Sequence, residues 1–138
     1  KTVSNLQISD GHAHEAMIAA DAILLASGTA ALEALLAKRP MVVAYRISSL
    51  TYFIVKTFGL MKITHYSLPN VLANEAIVPE LMQENCTAAN IADAIKPMLD
   101  APENYAALMQ KFTLIHQNLR RDANHLAADV VLELANKP

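Results

Sequence analysis

A chain of 138 residues suffices for one domain with its own core, and 54% hydrophobic against 17% charged residues excludes a disordered segment. The formal net charge of −2 gives no basic footprint for nucleic acid. A single cysteine, Cys86, excludes an internal disulfide and a cysteine-built zinc site, and no apolar run approaches the roughly 18–20 residues of a membrane span.

Lys1 opens the chain with no initiating Met and no signal peptide, inside a strand-like segment, so a fragment or an excised domain is expected. Val3–Ile8 alternates apolar and polar residues and predicts a short strand. Ser9-Asp10-Gly11 is a turn, and His14–Ala20 predicts a short helix. Ala22–Ala26 is apolar throughout, the pattern of a strand in the middle of a parallel sheet covered on both faces. Ser27-Gly28-Thr29 interrupts it, a helix is predicted over Thr29–Lys38, Arg39-Pro40 closes it, and Met41–Tyr45 predicts the next strand. Together these make one βαβ unit with minimal loops.

Ser48–Phe58 predicts a helix, with Leu50, Phe53, Ile54 and Phe58 on one face and Gly59 as its stop. Ile63–Ser67 is strand-like, and Leu68-Pro69-Asn70 breaks it as a turn. Pro79–Gln83 starts with a proline suited to a first helical turn. Thr87 caps a helix running to Leu99. Glu103–Arg121 is amphipathic, with Tyr105, Leu108, Phe112, Ile115 and Leu119 about a turn apart, and Asp122–Leu134 continues after a bend near Arg120–Asp122. The alternation predicts an α/β fold: a Rossmann-like parallel sheet with flanking helices, one domain over residues 1–138, its last helices spanning about 103–136. Ligands of such sheets sit at the carboxyl ends of the strands.

Candidate residues fall at those ends. Ser27, Gly28 and Thr29 could cradle a phosphate with backbone N–H groups and hydroxyls at a helix start, or could merely cap the helix. The stretch is neither a P-loop nor a GxGxxG fingerprint. Glu33, one turn along, could accept hydrogen bonds from ribose hydroxyls or be an exposed helix carboxylate. Arg46 directly follows a buried strand and suits a phosphate, or is a surface charge. Asn70 offers an amide to a sugar or phosphate, or serves its turn locally. The apolar stretch Leu50–Met61, with Lys56 and Lys62 interspersed, suits a membrane surface or an acyl chain, or a core helix. His12, His14, His65, His116 and His125 lack metal-ligand spacing, so no metal is assigned, and Cys86 reads as an inert thiol.

Two segments, AADAILLASGTAALEALLAKRPMVVAYRISSLTY and HYSLPNVLANEAIVPELMQENCTAANIADAI, resemble the C-terminal half of the lipid-A-disaccharide synthase family, over roughly Asp21–Leu134. The ordered pair SGTAxLE and SLPN(V/L)LA carries the resemblance. SGTxxLE alone is shared by related nucleotide-sugar enzymes. The resemblance implies part of the C-terminal domain of a GT-B glycosyltransferase, which uses UDP-2,3-diacylglucosamine as donor and 2,3-diacylglucosamine 1-phosphate as acceptor. It makes lipid A disaccharide and UDP. It implies that Ser27, Gly28 and Thr29 contact the diphosphate, that Glu33 takes the ribose, and that Arg46 and Asn70 line the same cleft. No metal or other cofactor is implied.

The family works on the cytoplasmic face of the inner membrane as a peripheral protein, which makes the inner-membrane surface an expected partner. Self-association into a homo-oligomer stays open, and nucleic acid is not expected. The family's N-terminal domain, with the general base, and its Gly-rich LPGSR-type loop are not in this chain. The chain alone is therefore expected to lack transferase activity, and its sheet to lack a first strand. Another nucleotide-sugar enzyme, transferase or epimerase, and a non-catalytic interaction domain of the same fold are the alternatives.

Overall fold

The computed structural model describes residues 5–26, 28–48, 57, 65–120 and 123–135. Helix α1 (Ala13–Ala19) leads into strand β1 (Ile23–Leu25), helix α2 (Thr29–Leu36) and strand β2 (Met41–Tyr45). Helix α3 (Leu68–Ala73) and strand β3 (Glu80–Met82) follow. Beyond β3, a 3₁₀ turn at Gln83–Asn85 precedes helix α4 (Ala88–Asp100), and a second at Pro102–Tyr105 precedes helices α5 (Ala106–Leu119) and α6 (Ala123–Ala135).

The described strands form one parallel sheet in the order β1-β2-β3. Ile23 stands opposite Met41 and Leu25 opposite Val43, while Val43 stands opposite Glu80 and Tyr45 opposite Met82. β2 is the middle strand, and Met41, Val42 and Val43 are all fully buried. Side chains alternate across a strand. Met41 and Val43 join Ala31, Ala34 and Leu35 of α2 and Phe112 of α5 in the core, and α4 packs against β2 with its Met98 buried. Helices therefore flank the sheet, as an α/β chain with parallel strands requires.

Local chemistry explains the helix ends. Lys38 adopts the left-handed region at φ 55°, its N–H bonds Leu35 O at 3.0 Å, and Arg39 N–H bonds Ala34 O at 3.2 Å. This double closure is the Schellman arrangement, with lysine where glycine is usual, and Pro40 then prevents continuation. Lys38 Nζ also donates to Leu36 O and meets His116 Nδ1 at 3.1 Å, which fastens α5 to the end of α2. Thr87 caps α4 by accepting the Asn90 N–H at 3.2 Å, as its position in the sequence implies.

Four sequence expectations are corrected. Residues 5–8 of the expected strand Val3–Ile8 form none, and Val3 lies outside the described residues; Leu6 and Ile8 are exposed, so the alternation has neither a paired edge nor a face to bury. β1 is an edge, not the middle, of the described sheet, with Leu24 half-exposed. His65–Ser67 is not strand: Ser67 is the N-cap of α3, and Pro69 starts that helix rather than breaking a strand. Pro79 leads strand β3, not a helix. Its carbonyl accepts the Val43 N–H at 3.0 Å, and a leading strand residue can dispense with its own N–H. The helix expected over Ser48–Phe58 and the stretch Leu50–Met61 lie outside the described residues, apart from Ser48 and Thr57.

Phe112 ties α5 to the core with no exposed surface. Phe112→Ala is expected to lower unfolding stability by about 3–5 kcal/mol, the cost of lost burial plus a cavity. Leu114→Ala, at 59% exposure on the same helix, is expected to change it by no more than about 0.5 kcal/mol. Urea denaturation of both variants measures the difference.

Candidate functional site

Because the three strands are parallel, the segments that leave them emerge on one edge of the sheet. Gly28 and Thr29 follow β1, Arg46 and Ile47 follow β2, and Gln83 and Glu84 follow β3. Neighbouring strands lie about 4.8 Å apart, so the three exits fall within roughly 10 Å. Gly28 is the N-cap of α2, at φ 134° and ψ −159°. That backbone conformation suits glycine alone. Among the described residues no side chain caps α2, and no heavy atom of theirs beyond the adjoining residues lies within 4 Å of where a Cβ of Gly28 would stand. The helix start thus presents the N–H groups of Thr29 and Ala30 and the positive end of the dipole, while the Ala31 N–H donates to Gly28 O at 3.2 Å. Thr29 and Glu33 are exposed one turn apart on α2. Ser27 lies outside the described residues.

Arg46 is exposed, and its Nε donates to Gln83 O at 3.0 Å. Gln83 Oε1 accepts the Ile47 N–H at 2.8 Å. Arg46, Ile47, Gln83 and Glu84 line a cavity of about 250 Å³. Sequence reasoning passed over Gln83, which there is only one polar residue at the end of an apolar pair.

Asn70 is placed differently from its expected role. It lies in the first turn of α3 at 1% exposure. Its Nδ2 donates to Val78 O at 2.9 Å and to Glu80 Oε1 at 2.8 Å. Its Oδ1 accepts the N–H groups of Ile77 at 2.8 Å and Val78 at 2.9 Å. A side-chain amide has two donors and two acceptor positions, and all four are used. Asn70 holds α3 to β3 and has no hydrogen-bonding capacity left for a sugar or phosphate.

Glu80, which no sequence signal singled out, is the centre of this knot. Its Oε1 accepts Ser67 N–H at 2.8 Å and Ser67 Oγ at 2.6 Å, and Tyr66 N–H lies 3.1 Å from Oε2. Partial burial works to raise the Glu80 pKa, but the hydrogen bonds from the Ser67 hydroxyl, the Ser67 and Tyr66 amides and Asn70 outweigh it and hold the carboxyl below its ordinary value. Among the described residues no group of three His, Cys, Asp or Glu side chains is placed to hold a metal ion.

The family model described as lipid-A-disaccharide synthetase matches residues 1–131. The lipid-A-disaccharide synthase of Xanthomonas campestris pv. campestris (strain 8004) is 51% identical over 132 residues, which cover 96% of this chain and 30% of that protein. That of Xanthomonas axonopodis pv. citri (strain 306) is 49% identical over 135 residues, covering 98% and 31%. That of Xylella fastidiosa (strain M23) is 48% identical over 132 residues, covering 96% and 34%. The chain spans about a third of the length of the curated relatives it matches.

The knot makes stability depend on acidity and on one amide. A carboxylate with a depressed folded-state pKa contributes stability that is complete above its ordinary value of 4.5 and is lost as pH falls through the depressed one. Thermal melts are therefore expected to fall below about pH 4.5, with a shallower fall in Glu80→Gln. Asn70→Ala strands buried partners at about 1–3 kcal/mol each and is expected to cost about 2–4 kcal/mol in urea denaturation at pH 7.

Proposed function

The chain belongs to the lipid-A-disaccharide synthetase family, and from that membership we propose that residues 1–138 form the donor-binding unit of a GT-B glycosyltransferase. The donor is UDP-2,3-diacylglucosamine and the acceptor 2,3-diacylglucosamine 1-phosphate. The observation that carries this reading is a glycine-led helix start, uncapped among the described residues, at the exit of the strand next to the one that Arg46 follows, in a chain about half identical to named synthases.

In the reaction, the acceptor hydroxyl attacks the anomeric carbon of the donor sugar. The bond from that carbon to the diphosphate oxygen breaks, and UDP leaves with the electron pair. A base from the rest of the family's length takes the hydroxyl proton. Single displacement inverts the anomeric centre and gives the β-1,6 disaccharide. This chain's part is the leaving group. Negative charge grows on the diphosphate as the bond breaks, and the N–H groups at the start of α2 and the guanidinium of Arg46 are fixed beforehand where that charge develops. Thr29 and Ser27 add hydroxyls, and Glu33 accepts from the ribose.

Both substrates carry acyl chains, so the reaction belongs at a membrane surface, on the cytoplasmic face of the inner membrane. No helix among the described residues is long and apolar enough to cross a membrane, which suits a peripheral contact, with Leu50–Met61 as the apolar segment in the sequence.

Titration of UDP into the chain, followed by backbone amide NMR, tests this. Shifts are expected to cluster at residues 28–33 and 46–47. Gly28→Val puts a β-branched residue at φ 134°, where strain rather than a clash displaces the backbone. It is expected to weaken UDP binding at least tenfold while circular dichroism stays native. A folded chain that shows no shifts at millimolar UDP overturns the reading.

A further inference from the structure

We propose that Gln83 is a positioning residue: it locks the exits of β2 and β3 together and thereby holds the Arg46 guanidinium ready for the phosphates of a nucleoside diphosphate. This rests on the donor-site reading above and adds to it a residue and a mechanism.

The last ladder pair between β2 and β3 is Tyr45 with Met82. At the next residue the β3 backbone turns away, because Gln83 adopts the left-handed region at φ 47°. Glutamine has no intrinsic liking for that region, so the surrounding structure must hold it there. Two contacts accompany the turn. The side-chain amide comes back to the Ile47 peptide, Oε1 accepting its N–H at 2.8 Å and Nε2 reaching its carbonyl at 3.4 Å. The Gln83 carbonyl accepts Arg46 Nε–H at 3.0 Å. A primary amide carries the same donor and acceptor as a peptide group, so the side chain continues the ladder where the backbone has left it.

The consequence falls on Arg46. An exposed arginine ordinarily has many rotamers, and a ligand that uses it must order it. Here Nε is already tied, and the two terminal nitrogens have no partner among the described residues. Arg46 makes no ion pair among them either, Glu84 of the same cavity included. The free end of the fork is the part that grips phosphate oxygens in pairs. It stands on the strand exit adjacent to the open start of α2.

The test is a set of UDP affinities by calorimetry, with uridine as the phosphate-free probe and thermal melts as the check on folding. Gln83→Ala removes the clamp and keeps a side chain at φ 47°; Gln83→Gly removes the clamp and relieves the backbone. Both are expected to bind UDP about tenfold more weakly, whatever their melting temperatures, and to bind uridine as the unmodified chain does. Arg46→Ala is expected to lose at least as much UDP affinity, and Arg46→Ala with Gln83→Ala no more than Arg46→Ala alone. UDP binding restored by glycine would make Gln83 a backbone matter only and overturn the proposal. Additive losses, or Gln83 variants that bind UDP normally while Arg46→Ala does not, would also overturn it. Absence of UDP binding by the unmodified chain would instead overturn the donor-site reading and take this proposal with it.

Discussion

The structure depends on β2 being covered on every side. Met41, Val42 and Val43 expose nothing, so their side chains need helices on both faces, and their peptide groups need a strand on each edge. Both neighbouring strands run parallel to β2. Parallel strands cannot be joined by a tight hairpin, so the chain must travel back through a helix between β1 and β2. That crossover is α2, and it is why a helix start lies at the exit of β1. The alignment of Gly28, Arg46 and Gln83 on one edge is the geometric result of a buried middle strand.

A short strand beside β2 poses a problem that side chains solve. β3 has three residues, Glu80–Met82, and so few ladder bonds of its own. Before it, the Asn70 amide pairs with both the N–H and the carbonyl of Val78. After it, the Gln83 amide does the same toward Ile47, closely at the N–H and loosely at the carbonyl. Each primary amide stands in for a missing peptide partner, one at each end of β3. The first is buried and joins α3 to the sheet; the second is at the exit edge and joins two loops. Asn70 and Gln83 thus have the same chemistry, and burial decides what each leaves available for a ligand.

This division explains what could be read from the sequence. The unit from β1 through α2 to β2 was legible nearly to the residue, because a wholly apolar strand, a glycine turn, a helix of good formers and Pro40 are local signals. The Thr87 cap of α4 was legible for the same reason. β3 was not, since three residues after a proline have no period, and it is pairing with β2, from Val43 to Tyr45, that makes them a strand. Val3–Ile8 differs in the opposite way: its period is present, but residues 5–8 pair with no strand. Gly28, Thr29 and Arg46 could be placed by strand direction alone, whereas the Asn70–Glu80 knot and the Gln83 clamp join residues 10 and 36 positions apart. No local pattern encodes such pairs.

The same pattern of partners bears on charge at the sheet. Glu80 is an anion at the first position of β3, and an anion there would ordinarily recruit a nearby cation. It is instead saturated by neutral donors at the start of α3: the Tyr66 and Ser67 amides, the Ser67 hydroxyl and the Asn70 amide. Neutral donors stabilise the carboxylate without using up a guanidinium. Gln83 likewise holds Arg46 through a carbonyl, not a carboxylate. Had the Arg46 contact been an ion pair, the positive charge at the exit of β2 would be neutralised. With the negative group satisfied by dipoles and the positive group anchored by a dipole, the charge of Arg46 remains directed at the edge where the three strands end.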